Sequence, residues 1–227
     1  ASNEKLQKEL IDRKNADAEL AQLKSVLDLA GTAKYKVVNA KVISLGSTSS
    51  FTQTITIDAG TNNGVRQNMT VITGLGLVGV VKISYPNSAL VQLATDPAFK
   101  VGARVAGSQQ IGILSGQGTN KAVLQLLDNQ TTLKVGDVIL ARGSVNNRPF
   151  VPGVPIGQVT TVDNAAGAVT QTADVKLYVN YSALSIVAVV VAAPKDDPRD
   201  ALVPKAPVPT PVPTVTIYAQ PSETPTP

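Results

Sequence analysis

The chain is 227 residues long, 43% hydrophobic, 16% charged and 4% aromatic, with 17 Gly, 15 Pro, one Met and no Cys, His or Trp. That is enough apolar chain for one or two packed domains. The missing His and Cys exclude serine–histidine and cysteine–histidine nucleophiles, imidazole or thiolate zinc sites and any disulfide framework, and no cofactor or metal is expected. Twenty Lys and Arg stand against 16 Asp and Glu, a formal charge of +4. No segment concentrates the basic residues, and few aromatics are available for base stacking, so nucleic acid is not an expected partner.

From Asn3 to Ala30 there is neither Gly nor Pro. Leu6, Leu10, Leu20, Leu23, Leu27 and Ala30 recur at spacings of three, four and seven among charged residues, which predicts a helix stopped by Gly31. In a heptad frame Leu6, Arg13, Leu20 and Leu27 fall at a, and Glu9, Ala16, Leu23 and Ala30 at d. Only the second half is a clean seam, so Leu20, Leu23, Leu27 and Ala30 are the candidate self-association residues. The alternative use of the same stripe is packing against the helix's own domain.

Residues 37–193 change character. All six acidic residues there are Asp, and β-branched residues dominate short runs such as Thr54-Ile55-Thr56-Ile57, Val78-Gly79-Val80-Val81 and Ala188-Val189-Val190-Val191. Turn-forming clusters separate them, among them Asp58-Ala59-Gly60, Asn62-Asn63-Gly64, Gly116-Gln117-Gly118 and Asn146-Asn147. The pattern predicts an all-β region of about a dozen short strands, as barrels and sandwiches show. Gly79 and Asn146-Asn147 bracket a block with its own strands and turns, which predicts two small barrels, one from 37–79 with 146–193 and one from 80–145. From Pro194 onward ten of 34 residues are Pro, so 194–227 is expected to be a disordered, Pro-rich tail able to extend ~100 Å.

Gly74-Leu75-Gly76-Leu77-Val78-Gly79 matches the G-x-G-x-x-G dinucleotide fingerprint, but that site needs a helix after the third Gly. Val80-Val81-Lys82-Ile83 and a Tyr85-Pro86-Asn87 turn follow instead, so a glycine-marked β-turn is expected. Asp58, Asp96, Asp128, Asp137, Asp163 and Asp174 supply carboxylates for glycoside or aspartic chemistry in principle, but most flank turn residues, where Asp caps backbone amides. Three N-x-S/T sequons, at Asn68, Asn129 and Asn180, are close to the number that composition alone produces. Absence of Trp argues against a carbohydrate-binding platform. The longest apolar run, Leu184 to Ala193, is too short for a bilayer span, and the lack of an initiator Met leads us to expect a further natural segment upstream.

Taken together, Phe51-x-x-x-Ile55-x-Ile57-Asp58-x-Gly60-x-x-x-Gly64-Val65, Met69-x-Val71-Ile72, Gly76-Leu77-Val78-Gly79-x-Val81, Gly112-Ile113-Leu114-x-Gly116, Val135-Gly136-Asp137 and Pro152-Gly153-Val154-Pro155-Ile156-Gly157-x-Val159 resemble the MreC family of rod-shape-determining proteins over residues 3–193. The resemblance implies a bitopic membrane protein, anchored by an upstream transmembrane helix. A coiled-coil helix and two small extracytoplasmic β-barrels would follow; these resemble chymotrypsin-like proteases without their catalysis. It implies a scaffold of the wall-elongation complex whose partners are further copies of itself, the elongation transpeptidase (a class B penicillin-binding protein) and the membrane protein MreD. Three departures stand out: Asn68 where the family usually has Gly, Ala141-Arg142-Gly143 for a usual Thr-Ser-Gly, and one extra residue in Phe150-Val151-Pro152. The expected mechanism is docking through strand edges and apolar patches, with the helix raising local concentration. The alternative, from another class, is an exported β-barrel hydrolase using Asp pairs or a serine with a lysine base.

Overall fold

The computed structural model describes residues 2–46, 52–108, 110–127, 133–163, 170–194 and 196–204, with side chains of the helix from Gln7 onward. Helix α1 spans Ser2–Thr32 and is followed by β1 Lys36–Leu45, β2 Thr54–Ile57, β3 Thr70–Thr73, β4 Gly76–Ser84, β5 Ala89–Leu93, β6 Lys100–Val105, β7 Ile111–Gly116, β8 Lys121–Leu126, β9 Val138–Ala141, β10 Pro155–Asp163, β11 Thr172–Leu177 and β12 Ile186–Ala192. Two closed six-stranded barrels result, ordered β1-β12-β3-β4-β5-β2 and β10-β11-β8-β7-β6-β9, with antiparallel neighbours throughout. The all-β expectation with a leading helix is met. Closure also removes the free strand edges invoked for docking, since each described strand is paired on both sides.

The first barrel is discontinuous, but the expected boundaries are wrong. Gly79 lies inside β4, opposite Leu93 of β5, and β5 belongs to the first barrel, whereas β10 and β11 belong to the second. The glycine marks a close approach: a Cβ there would sit 1.9 Å from the carbonyl oxygen of Gln92. Asn146 and Asn147, with φ of 58° and 57°, make a left-handed turn in the connection from β9 to β10. The chain therefore crosses between barrels at 94–99 and 178–185, where the sequence carries no conspicuous Gly or Pro cluster.

The strands of the first barrel explain their own composition. In β12, Val187 and Val189 face the barrel interior with Ile55, Ile57 and Val91, while Ala188 and Val190 face outward into a second cluster with Val26 and Leu29 of α1 and Leu77 and Val80 of β4. A strand buried on both faces reads as a continuous apolar run rather than an alternation. The second barrel fills with Val101, Leu114, Leu124, Ile139, Ile156 and Val175, and this cluster is continuous with the one beneath α1.

The helix end differs from the expected stop at Gly31. Gly31 is helical, and the left-handed residue is Lys34 (φ 56°). Tyr35 N donates to Ala30 O at 2.8 Å and Lys34 N to Gly31 O at 3.1 Å, the two bonds of a Schellman cap. Tyr35 is buried and its hydroxyl donates to Pro152 O, which fixes the residue after the cap.

At the first crossing Asp96 is fully buried. Its carboxylate accepts from Gln53 N at 2.6 Å and Ala98 N at 2.7 Å, while Gln53 Nε2 reaches Gly118 O of the second barrel at 2.7 Å. Asn68 sits at φ 60°, a left-handed position that Asn tolerates, so this departure from the family's Gly keeps the turn. Val151, the extra residue, is buried, and its N–H donates to Thr70 Oγ1 at 3.0 Å.

The expected disordered tail begins too early at 194. Residues 196–204 lie on the body: Arg199–Leu202 forms a 3₁₀ turn and Leu202 joins the core. The remainder, 205–227, is outside the described residues.

Gly79→Ala should lower the melting temperature by several degrees, because the strand pair must part, at a cost of about 1–3 kcal/mol. Gly102→Ala, where nothing lies within 4 Å of the added Cβ, should leave it unchanged or slightly raised. Asp96→Ala strands two buried amides and should cost about 2–5 kcal/mol by chemical denaturation; a smaller loss for Asp96→Asn, which keeps one acceptor, would identify hydrogen bonding as the cause.

Candidate interaction surfaces

Helix α1 divides into two parts. From Gln7 to Ala18 every side chain is exposed, including Leu10 and Ile11 at 57% and 58%. Contacts with the body begin at Glu19, whose carboxylate meets Lys41 Nζ at 2.9 Å, and at Gln22, whose Oε1 accepts from Ile186 N at 3.1 Å. The Lys41–Glu19 pair is open to solvent and adds little stability.

The face packed on the body is Val26, Leu29, Ala30 and Ala33, spaced i, i+3, i+4, i+7. Gly74 permits this approach, since a Cβ there would lie 2.2 Å from Ser25 Oγ. The four candidate stripe residues accordingly part company. Ala30 is in the intramolecular core, Leu23 is half-buried, and Leu20 and Leu27 remain outward at 49% and 48% exposure. The packing face was legible in the same periodicity, in Val26, Leu29 and Ala33, but leucines drew the frame.

Beside the helix, an apolar groove of about 370 Å³ lies between Ala21, Gln22 and Val26 of α1 and Leu75, Leu184 and Ile186 of the first barrel. A larger cleft of about 530 Å³ separates the barrels, lined by Thr54, Leu93, Pro97, Thr119, Asn120 and Tyr181 among others. Tyr181 anchors the second crossing: its buried hydroxyl donates to Leu77 O at 2.8 Å, and burial pushes its phenol far above the ordinary value. Tyr35 is likewise raised, by burial first and then by the negative charge of Asp197.

The residues that suggested chemistry are placed elsewhere. Gly74-Leu75 is the two-residue connection of the β3–β4 hairpin, with Thr73 paired to Gly76. Asp58 Oδ1 accepts from Lys41 N at 2.6 Å and Asp137 Oδ2 from Lys134 N at 2.8 Å, so both cap backbone amides, as Asp96 does. Asp163 and Asp174 stand exposed on the outer wall of the second barrel, on neighbouring strands. Asp128 is outside the described residues. Among the described residues no group of three acidic side chains converges, no lysine bonds a serine hydroxyl, and no helix is long and apolar enough to cross a membrane.

Comparison with known proteins agrees with this architecture. The family described as "Rod shape-determining protein MreC, barrel core" matches residues 42–191. A cell shape-determining protein MreC of Listeria monocytogenes is 31% identical over 177 residues, covering 75% of this chain and 58% of the relative, so the chain spans little more than half of that protein. A solved MreC structure superposes with a TM-score of 0.68 at 25% identity, covering 77% of this chain and 98% of the other. A solved complex between penicillin-binding protein PBP2 and MreC from Helicobacter pylori matches with a TM-score of 0.53 over 69% of this chain and 99% of that one; at 13% identity this likeness shows the fold alone. The chain belongs to the MreC family of rod shape-determining proteins.

Proposed function

We propose that the chain is a non-enzymatic, extracytoplasmic scaffold of the bacterial wall-elongation complex, tethered to the membrane by a helix upstream of Ala1 and acting by self-association and by docking wall-synthesis enzymes. The observation that carries this reading is the outward part of α1. A helix whose Gln7–Ala18 side chains are all exposed is marginal in water by itself, and Leu10, Ile11, Leu20 and Leu27 add exposed apolar surface along it. A partner helix supplies what the fold does not. At 1.5 Å per residue this free part is a stalk of roughly 20 Å, which would set the barrels away from the membrane tether.

Paired stalks present several copies of the barrels together, and each added contact becomes intramolecular, raising avidity without a large individual affinity. The enzyme partner in this reading is a class B penicillin-binding protein, supported by the Helicobacter pylori complex, in which an MreC pairs with PBP2; MreD is the proposed membrane partner. The alternative of a hydrolase lacks a convergent set of groups among the described residues, with Asp58, Asp96 and Asp137 committed to backbone amides.

Replacing Leu20 and Leu27 together with Asp should lower the mass seen by equilibrium sedimentation toward that of a single chain, with the melting temperature of the barrels little changed, because both side chains are outside the core. An unaltered mass would place association elsewhere. Mixed with the extracytoplasmic part of a class B penicillin-binding protein on a biosensor, the chain should bind reversibly. Incubated alone with purified peptidoglycan, it should release no fragments.

A further inference from the structure

The sequence Pro194 to Pro204 reads as the start of a Pro-rich tail, and the family match ends at residue 191. Yet 196–204 makes specific contacts at both ends. At one end Asp200 uses both carboxylate oxygens: Oδ1 accepts from an Arg104 guanidinium nitrogen at 2.6 Å, and Oδ2 from Gly107 N at 2.9 Å. Asp197 lies 3.8 Å from the other terminal nitrogen of Arg104. The Arg104 side chain is only 13% exposed although it stands on the second barrel. At the other end Leu202 is 7% exposed and belongs to the same apolar cluster as Leu29 and Ala30 of α1. Just before the anchors the backbone is shaped to turn: Asp197 Oδ1 caps Arg199 N at 2.7 Å, Arg199 is left-handed at φ 51°, and Pro198 packs where a side chain at Gly153 would clash.

We propose that residues 196–204 are a reversible clasp that joins the second barrel to the base of α1 and so fixes the angle at which the stalk leaves the barrels. The exposure of its polar anchor makes it reversible: Asp200 is 42% exposed, so water and salt compete for it. The Arg104 guanidinium holds the Asp200 carboxyl below the usual carboxylate range, as a formed pair requires. The two anchors, Asp200 and Leu202, are two residues apart in sequence, one held by Arg104 and Gly107 of the second barrel and the other packed beside the base of α1, so loosening one removes the restraint that holds the other in place.

The test is hydrogen–deuterium exchange on the full chain. Asp200→Ala should raise exchange about tenfold not only around residues 104–108, which Asp200 bonds, but also at the base of α1, residues 25–33. Leu202→Ala should do the converse, raising exchange at 104–108, while β12 stays protected in both variants. Effects confined to the anchor that was changed, or no effect, would overturn the clasp. Loss of protection in β12 would also overturn it, by showing that the segment is an obligatory part of the fold; the milder Asp200→Asn, which keeps the side-chain shape, distinguishes that outcome from a local steric defect.

Discussion

The outer wall of the first barrel is itself core. In β12 and β4 the residues facing away from the barrel interior, Ala188, Val190, Leu77 and Val80, are as buried as those facing in, and the rest of the molecule follows from the need to cover them. The last turns of α1 and the second barrel share that task. Small residues decide how closely they approach: Gly74 beneath Ser25, and Gly76 beneath Pro155, where a Cβ would lie 2.1 Å from the carbonyl oxygen. Covering one apolar wall from two sides gives the two barrels and the helix base a shared, continuous cluster, and leaves the rest of the helix outside it.

That division between a covered wall and an uncovered stalk is where structure turns into function. The barrels are closed, with backbone polar groups paired around the sheets, so they offer side-chain surfaces rather than edges. The outward part of the helix, by contrast, has no cover from the barrels. Multivalent binding needs a rigid unit that presents surfaces and a separate unit that gathers copies, and in the proposed function these two roles fall to different segments.

Much of this was legible in the residues. The continuous apolar run 188–191 marks a strand buried on both faces, the Gly74-Leu75 connection announces a hairpin, and the collinear glycine and aliphatic motifs point to the family. The misreadings have physical causes. Gly79 reads as punctuation in the sequence, but a glycine inside a strand also permits backbone approach, and nothing local separates the two meanings. Asn146-Asn147 is a real turn whose place within a barrel, rather than between barrels, depends on long-range pairing. Along the helix, leucine spacing suggests a seam, yet Ala30 faces the protein's own core and, of the four seam residues, only Leu20 and Leu27 look out, because which side of a helix meets its body is fixed by contacts distant in sequence. The segment 196–204 was hidden by its prolines: composition says that a chain cannot bury much, but one leucine and one aspartate suffice to hold it.

Pairing of stalks between copies is the central claim, and the chain suits a direct measurement because it contains no native cysteine. A spin label on a single cysteine introduced at Asp17, an exposed helix position beside the proposed seam, reports the distance between copies by pulsed electron resonance. Paired helices pack about 10 Å apart, so side-by-side stalks give a narrow intermolecular distance on the order of 20 Å once the two label arms are included. A signal showing only the uniform background of separate molecules, at concentrations where the chain sediments as an oligomer, would contradict the account and move association to the barrels.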